Sequence, residues 1–200
     1  MTETIDFYFE FASPYGYLAS LEIDDLAARH GRTVNWRPFM LGAIFKVTNS
    51  APMMTIPMKG DYMYRDVARC AKLMDVPLNK PDVAPMNSLA AMRVFYWLLD
   101  QDTEKAVAFA KAIYHAYWGE GRDMSPVEAV SAVAGDLGID PSAAKAATQD
   151  VAVKDRLKRE TQTAIDRGAF GSPFIFVDEE GYWGHDRMHH IEHHLRHGGI

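Results

Sequence analysis

The sequence predicts an α/β chain in which a four-stranded mixed sheet is split by a long helical segment. Three observations lead there. The first 40 residues read strand–helix–strand, the stretch from Asp61 to Gly168 carries helical periodicity, and the remainder reads strand–strand–helix. A chain of 200 residues suits one generous domain, or a small domain with an insertion. With 48% hydrophobic and 24% charged residues the composition is that of a folded globule, not of a disordered chain.

In the first segment Ile5, Phe7, Phe9 and Phe11 alternate with Asp6, Tyr8 and Glu10. That period of two predicts a strand with one buried face. Ser13-Pro14 then supplies a favoured N-cap and a favoured first helical residue. Leu18, Leu21, Ile23, Leu26 and Ala27 continue at helical spacing until Gly31. Arg32 to Phe39 returns to a strand, with Val34 and Trp36 on one face, so the opening reads β-α-β with a parallel pair.

Leu41 to Gly60 shows no clear period and contains Asn49, Pro52, Pro57 and Gly60; it reads as a long loop, of the kind that usually has a function. Next come helices. One starts at Asn87 or Ser88 and is apolar nearly all round from Leu89 to Leu99, which predicts burial. Ala106 to Trp118 is another. Ser125-Pro126-Val127-Glu128 reads as a capping box, and Asp140-Pro141 opens a short helix. Asp150 to Arg167 is amphipathic and ends at Gly168. Pro173 to Asp178 then reads as a strand, Glu179-Glu180-Gly181 as a turn, Tyr182-Trp183 as a second strand, and Asp186 as the cap of a last helix. By analogy of element order this is a thioredoxin-like fold, with residues 1–60 and 168–200 forming the sheet domain and 61–167 a helical insertion.

Several function classes are disfavoured. A net charge of −6 argues against a duplex nucleic-acid binder. No apolar run reaches the length of a membrane span, and the start of the chain lacks the pattern of a signal peptide. The single cysteine, Cys70, excludes an intrachain disulfide and a four-cysteine metal site, and is expected in the core. These features suggest a reduced, cytoplasmic protein with a small-molecule partner.

Ser13 is the first candidate for chemistry. Between a strand and a helix start, its hydroxyl is placed to donate to a thiolate or oxyanion, although the spacing alone favours a plain N-cap. Pro173 precedes a strand and, on spacing alone, is an ordinary trans proline. Asp186 suits a helix cap and equally an ammonium ligand. Asn49 and Lys59 lie in the long loop, where a lysine could meet a carboxylate. His189, His190, His193, His194 and His197 include i, i+4 pairs, but no carboxylate-rich partner set accompanies them, so no metal site is assigned.

Five segments in order carry a family resemblance. Phe7-Tyr8-Phe9-Glu10-Phe11-Ala12-Ser13-Pro14-Tyr15-Gly16-Tyr17-Leu18-Ala19 resembles the opening of the 2-hydroxychromene-2-carboxylate isomerases and their kin, the kappa-class glutathione transferases. Trp36 to Lys46 followed by Asn49, Pro57 to Met63, Gly168 to Pro173, and Trp183 to Met188 are similar to the family's later motifs. The family shares the DsbA-like thioredoxin fold of disulfide oxidoreductases, and here Ser13-Pro14-Tyr15-Gly16 stands where those carry Cys-x-x-Cys. With both cysteines lost, disulfide exchange is unavailable, and the resemblance implies that the sulfur arrives on glutathione.

The resemblance further implies that Ser13 hydrogen-bonds the glutathione thiolate and that Ser172, before a cis Pro173, pairs with the cysteinyl backbone. His185 and Asp186 would hold the γ-glutamyl end, and Lys59 and Asn49 the glycyl end or the substrate carboxylate. The implied reaction is isomerisation of a small aromatic carboxylate by reversible thiolate addition, as in aromatic hydrocarbon degradation, by a homodimer. Gly16, where many relatives carry serine, His185, and the methionine-rich Met53-Met54 segment depart from the family pattern. Two other readings stay open: a kappa-type transferase or peroxidase using the same thiolate, and a non-catalytic thioredoxin-like binding module.

Overall fold

The computed structural model describes residues 4–199. Its sheet contains β1 (Thr4–Phe9), β2 (Thr33–Pro38), β3 (Phe174–Val177) and β4 (Glu180–Trp183), in the order β2-β1-β3-β4. β1 pairs parallel with β2 and antiparallel with β3, and β3 pairs antiparallel with β4. Between β1 and β2 lie α1 (Pro14–Ser20) and α2 (Ile23–Arg29). Between β2 and β3 run α3 (Leu41–Thr48), α4 (Lys59–Met74), α5 (Leu89–Leu99), α6 (Thr103–Tyr114), α7 (Val127–Asp136), α8 (Pro141–Ala147) and α9 (Val151–Asp166). The last helix is α10 (Met188–His197). Among the described residues no helix is long and apolar enough to cross a membrane.

The alternation in β1 has a different outcome from the one expected. Phe7 and Phe9 face the larger core and pack edge-on against Trp36, with Phe95 also edge-on to Phe9. Tyr8, on the other face, is fully buried as well, in a second core with Phe39, Ile44, Phe174 and Phe176. Both faces are therefore covered. The covering element is in part α3, in the stretch read as a loop. Leu41, Ile44, Phe45 and Thr48 are spaced for a helix, but Met40 gives the start no side-chain cap, so the usual start signal is missing.

Other boundaries also shift. The first helix breaks into α1 and α2, joined by a turn at Leu21-Glu22. Residues 75–88 are not helical and contain a cis Ala84–Pro85 bond, so the helical block is interrupted. The expected capping box does not form: Pro126 is the N-cap of α7, and Ser125 Oγ accepts the Asn87 N–H instead. The hairpin turn sits at Asp178-Glu179, both at positive φ, and Glu180 already belongs to β4. Asp186 caps nothing; it lies in a 3-10 turn, His185–Arg187, that precedes α10, and its side chain is exposed.

The charged group that faces the second core is tightly paired. Asp6 accepts from Arg37 Nε at 2.7 Å, from Arg167 and from Asn35, which ties β1 to β2 and to the end of α9. Burial pushes its carboxyl up, but the two guanidiniums outweigh that and hold it below the usual aspartate value. A depressed carboxyl contributes stability above its unfolded-state value and loses it as pH falls through the folded-state value. Asp6→Asn should cost about 2 kcal/mol near neutral pH by leaving the guanidiniums short of a partner. Denaturant unfolding should show that gap closing below about pH 4.

Candidate active site

β1 leaves the sheet at Glu10, and the backbone beyond it has no strand to pair with. Every such group must find another partner. The Glu10 N–H donates to Ser172 Oγ at 2.9 Å. The Glu10 carbonyl accepts the Ser13 N–H at 2.9 Å and the Tyr114 hydroxyl at 3.0 Å. The Phe11 carbonyl accepts from Trp118 Nε1 at 3.0 Å. Local turns and side chains from the helical block thus fix the path into α1.

Ser13 sits at the centre of this arrangement. Its Oγ accepts the Gly16 N–H at 3.1 Å, the N-cap bond, and its hydroxyl donates to the Ser172 carbonyl at 2.8 Å. Both the cap reading and a reach toward the opposite loop are therefore realised. The Ser172–Pro173 bond is cis.

The Glu10 side chain is buried beside it. Oε2 accepts the Ala12 N–H at 2.8 Å, and Oε1 is hydrogen-bonded to the Ser88 hydroxyl at the start of α5. Desolvation pushes the carboxyl up to about 7, against the smaller pull of the Ser88 and Ala12 hydrogen bonds. Among the described residues no ion pair holds it.

Glu10, Ser13, Ser88 and Ser172 form the polar floor of a cavity of about 860 Å³. Its walls are mostly apolar, with Met40, Met54, Met63, Met86 and Met92 among them. Thioethers suit an apolar guest of variable shape. Lys46 and Lys59, both exposed, stand at the rim. Phe170 and Trp183 stack edge-on at 4.9 Å and line the same space. A mostly apolar cavity with a few convergent polar groups is the usual form of a small-molecule site.

Of the candidates read from the sequence, the structure brings Ser13, Lys59 and Ser172 into this cavity. Pro173 is buried directly behind Ser172. Asn49 lies outside the lining: it closes α3 at φ 52°, a left-handed position that asparagine tolerates. His185 and Asp186 also lie outside it. Their turn begins beside the cis proline, since the Gly184 N–H donates to the Pro173 carbonyl at 3.0 Å. His185 Nε2 is 3.6 Å from Glu22 Oε2, and Asp186 pairs with Arg187 at 3.3 Å. Cys70 is half-buried on α4 with a thiol pushed up by burial. His194 is spent on a 2.7 Å hydrogen bond with the Tyr182 hydroxyl.

Sequence reasoning missed Glu10, Ser88 and Lys46. Glu10 had a readable signal, a carboxylate at the exit of a hydrophobic strand three residues before Ser13. Lys46 would have followed from recognising α3. Ser88 had none, because its role depends on how α5 meets β1.

Fold and site together define a thioredoxin-class protein in which serine stands at the start of the first helix, opposite a cis proline. Residues 4–196 match the family described as DSBA-like thioredoxin domain. A 2-hydroxychromene-2-carboxylate isomerase of Sphingobium xenophagum is 33% identical over 201 residues, 98% of this chain and 99% of that protein. Glutathione S-transferase kappa 1 of Caenorhabditis elegans is 30% identical, over 94% of this chain and 88% of that protein. A solved 2-hydroxychromene-2-carboxylate isomerase structure superposes with a TM-score of 0.88 at 31% identity, covering 97% and 95% of the two chains. The chain belongs to the DSBA-like thioredoxin family, in the enzyme branch of these isomerases and kappa transferases.

Two predictions follow from the floor of the site. A Cβ on Gly16 would come within 2.5 Å of the Tyr114 hydroxyl and 3.2 Å of Ser172 Oγ. Gly16→Ala should therefore cost about 2 kcal/mol by overpacking. In a Tyr114→Phe background the added cost should fall, since the nearest obstructing oxygen is gone and only the 3.2 Å approaches to Ser13 Cβ and Ser172 Oγ remain. Equilibrium unfolding of the double-mutant cycle reads this, and additive costs would clear Tyr114 of the obstruction.

The second concerns Glu10. Its carboxyl is raised from 4.5 to about 7, so the folded state binds that proton more tightly than the unfolded chain. Stability is therefore lost as pH rises through this window, up to about 3 kcal/mol above pH 7. Glu10→Gln should be more stable than the parent at about pH 8 and similar to it at about pH 4. A stability gap that does not vary with pH would mean that Glu10 titrates normally.

Proposed function

We propose that the protein is a glutathione-dependent isomerase of 2-hydroxychromene-2-carboxylate or a closely related aromatic carboxylate. The observation that carries this reading is the 2.8 Å bond from the Ser13 hydroxyl to the Ser172 carbonyl, on the floor of a mostly apolar cavity. The residues there suit glutathione, which carries one thiol, two carboxylates and a peptide backbone. A hydroxyl donor, a backbone acceptor and two rim ammoniums are the matching set.

When bound, glutathione supplies a thiolate able to add to a conjugated substrate and leave again. The protein's part is donation and orientation. A serine hydroxyl has one proton, so Ser13 can donate to sulfur only by releasing the Ser172 carbonyl. That carbonyl is then free to accept a backbone N–H of the ligand, as in strand addition. One rotation of one hydroxyl thus prepares two contacts. Lys46 and Lys59 provide charge for carboxylates at the rim, and Phe170, Trp183 and the methionines provide apolar surface for an aromatic ring. His185 and Asp186, on the turn beside Pro173, are assigned to the γ-glutamyl end. Asn49 is assigned to the glycyl end or the substrate carboxylate, besides closing α3. A homodimer in a reducing cytoplasm completes the reading, in keeping with the lone free thiol of Cys70.

The same floor serves a kappa-type transferase, and the likeness to the kappa 1 protein supports that as the second reading. Titration with glutathione, followed by thiolate absorbance in the ultraviolet, should give a saturable signal. In Ser13→Ala the thiolate fraction should fall about tenfold, one pKa unit, while the lost cap costs about 1 kcal/mol of stability. Turnover of hydroxychromene carboxylate without loss of glutathione identifies the isomerase, and conjugation of another electrophile identifies the transferase. Full activity in Ser13→Ala would leave that residue a helix cap and nothing more.

A further inference from the structure

We propose that Glu10 is the proton acceptor for the thiol bound at Ser13: its carboxylate, on the cavity floor between the Ala12 N–H and the Ser88 hydroxyl, takes the proton that the sulfur gives up. This rests on the glutathione reading above and adds to it the destination of the proton.

Glu10 is the only acidic side chain among the described residues that line the cavity. It precedes Ser13 by three residues, and its own carbonyl anchors the Ser13 N–H. Each carboxylate oxygen has one hydrogen bond, from Ala12 N–H to Oε2 and with Ser88 Oγ at Oε1, so each keeps a lone pair for a further proton. Asp6, on the same strand, shows the opposite arrangement. Two guanidiniums lock it in the charged form and make it useless as a base. Glu10 has no such lock.

The groups facing Glu10 from the packed elements are Ser88 just before α5, Tyr114 of α6 and Tyr117 of the π-helical turn His115–Gly119 that follows α6. Burial holds both phenols well above their ordinary value, so they stay neutral over the working range. Lys46 and Lys59 stand exposed at the rim and form no ion pair with it among the described residues. An affinity of about 7 lets the carboxylate accept a proton near neutral pH and return it.

In the step, the S–H bond breaks and its electron pair stays on sulfur. A lone pair of the Glu10 carboxylate bonds the proton, and nothing is oxidised or reduced. Ser88 accommodates both states: its hydroxyl donates to the carboxylate and accepts from the carboxylic acid. When the thiol leaves, Glu10 returns the proton, so the cycle consumes none.

The test counts protons. Glutathione binding is measured by calorimetry between about pH 7 and 8 in buffers of different ionisation enthalpy. In the parent at about pH 8, where the free carboxyl is mostly ionised, the proton stays in the complex and the heat is nearly the same in every buffer. In Glu10→Gln, which keeps acceptor and donor for Ala12 and Ser88, any thiolate formed must release its proton to the buffer. Turnover should fall by about 10²-fold or more. Release of one proton to the buffer by the parent for each thiolate formed, as read from the thiolate absorbance, overturns the proposal while leaving the glutathione reading standing. Absence of saturable binding to the parent overturns both. Infrared difference spectra of the parent alone supply a check free of any variant: a protonated carboxyl band should grow on binding, and a band that does not grow rejects Glu10.

Discussion

The end of β1 sets the terms for the rest of the molecule. β1 and β2 end together at Phe9 and Pro38, and the polar backbone that continues beyond β1 sits in the protein interior. Here the Glu10 N–H, the Glu10 and Phe11 carbonyls and the Ser13 N–H are satisfied by the loop that leads into the neighbouring β3, by a turn of their own, and by Tyr114 and Trp118. Tyr96 does the same for β2, donating to the Pro38 carbonyl at 2.6 Å. The helical segment between β2 and β3 is therefore more than a lid over a cavity. It supplies the donors that let two strands end where they do, and the site forms where they end.

β1 also shows how environment divides the work of two carboxylates a few residues apart. Asp6 lies among cations and is held charged, a clamp between strands and helix. Glu10 lies among hydroxyls, phenols and methionines, and its charge is costly. An unpaired buried carboxyl is a burden on stability, and such burdens are tolerated where they serve chemistry. The methionine walls contribute to the same effect by surrounding the floor with apolar surface.

Element order was legible because the period of two in β1 and the helical periods between Asp61 and Gly168 are strong local signals. The Ser13 cap and the helix starts at Asp140 and Asp150 were legible too, since each side chain bonds its own first turn. α3 was not: it is short, uncapped at its start and exposed along most of one side, so its only signal was four apolar or half-apolar positions. The burial of Tyr8 was hidden for the same reason, because nothing in β1 reveals what covers its second face. In the site, Ser13 and Ser172 were readable from motifs. Glu10 and Ser88 acquire their meaning only where α5 meets the strand exit, a tertiary contact with no local pattern.

The insertion of the helices between β2 and β3 has a consequence for how the chain is made. β1 is central, yet one of its neighbours, β3, comes from the far end of the chain, with Asp6 opposite Phe176. During synthesis β1 and β2 can pair early, but the other edge of β1 stays open until the C-terminal segment leaves the ribosome. An open, phenylalanine-rich strand edge is prone to wrong pairing. Ser172 and Pro173 arrive on that same late segment. A nascent chain thus acquires its complete sheet and the Ser172 side of the cavity floor on one late segment, and a chain cut short before that segment has neither.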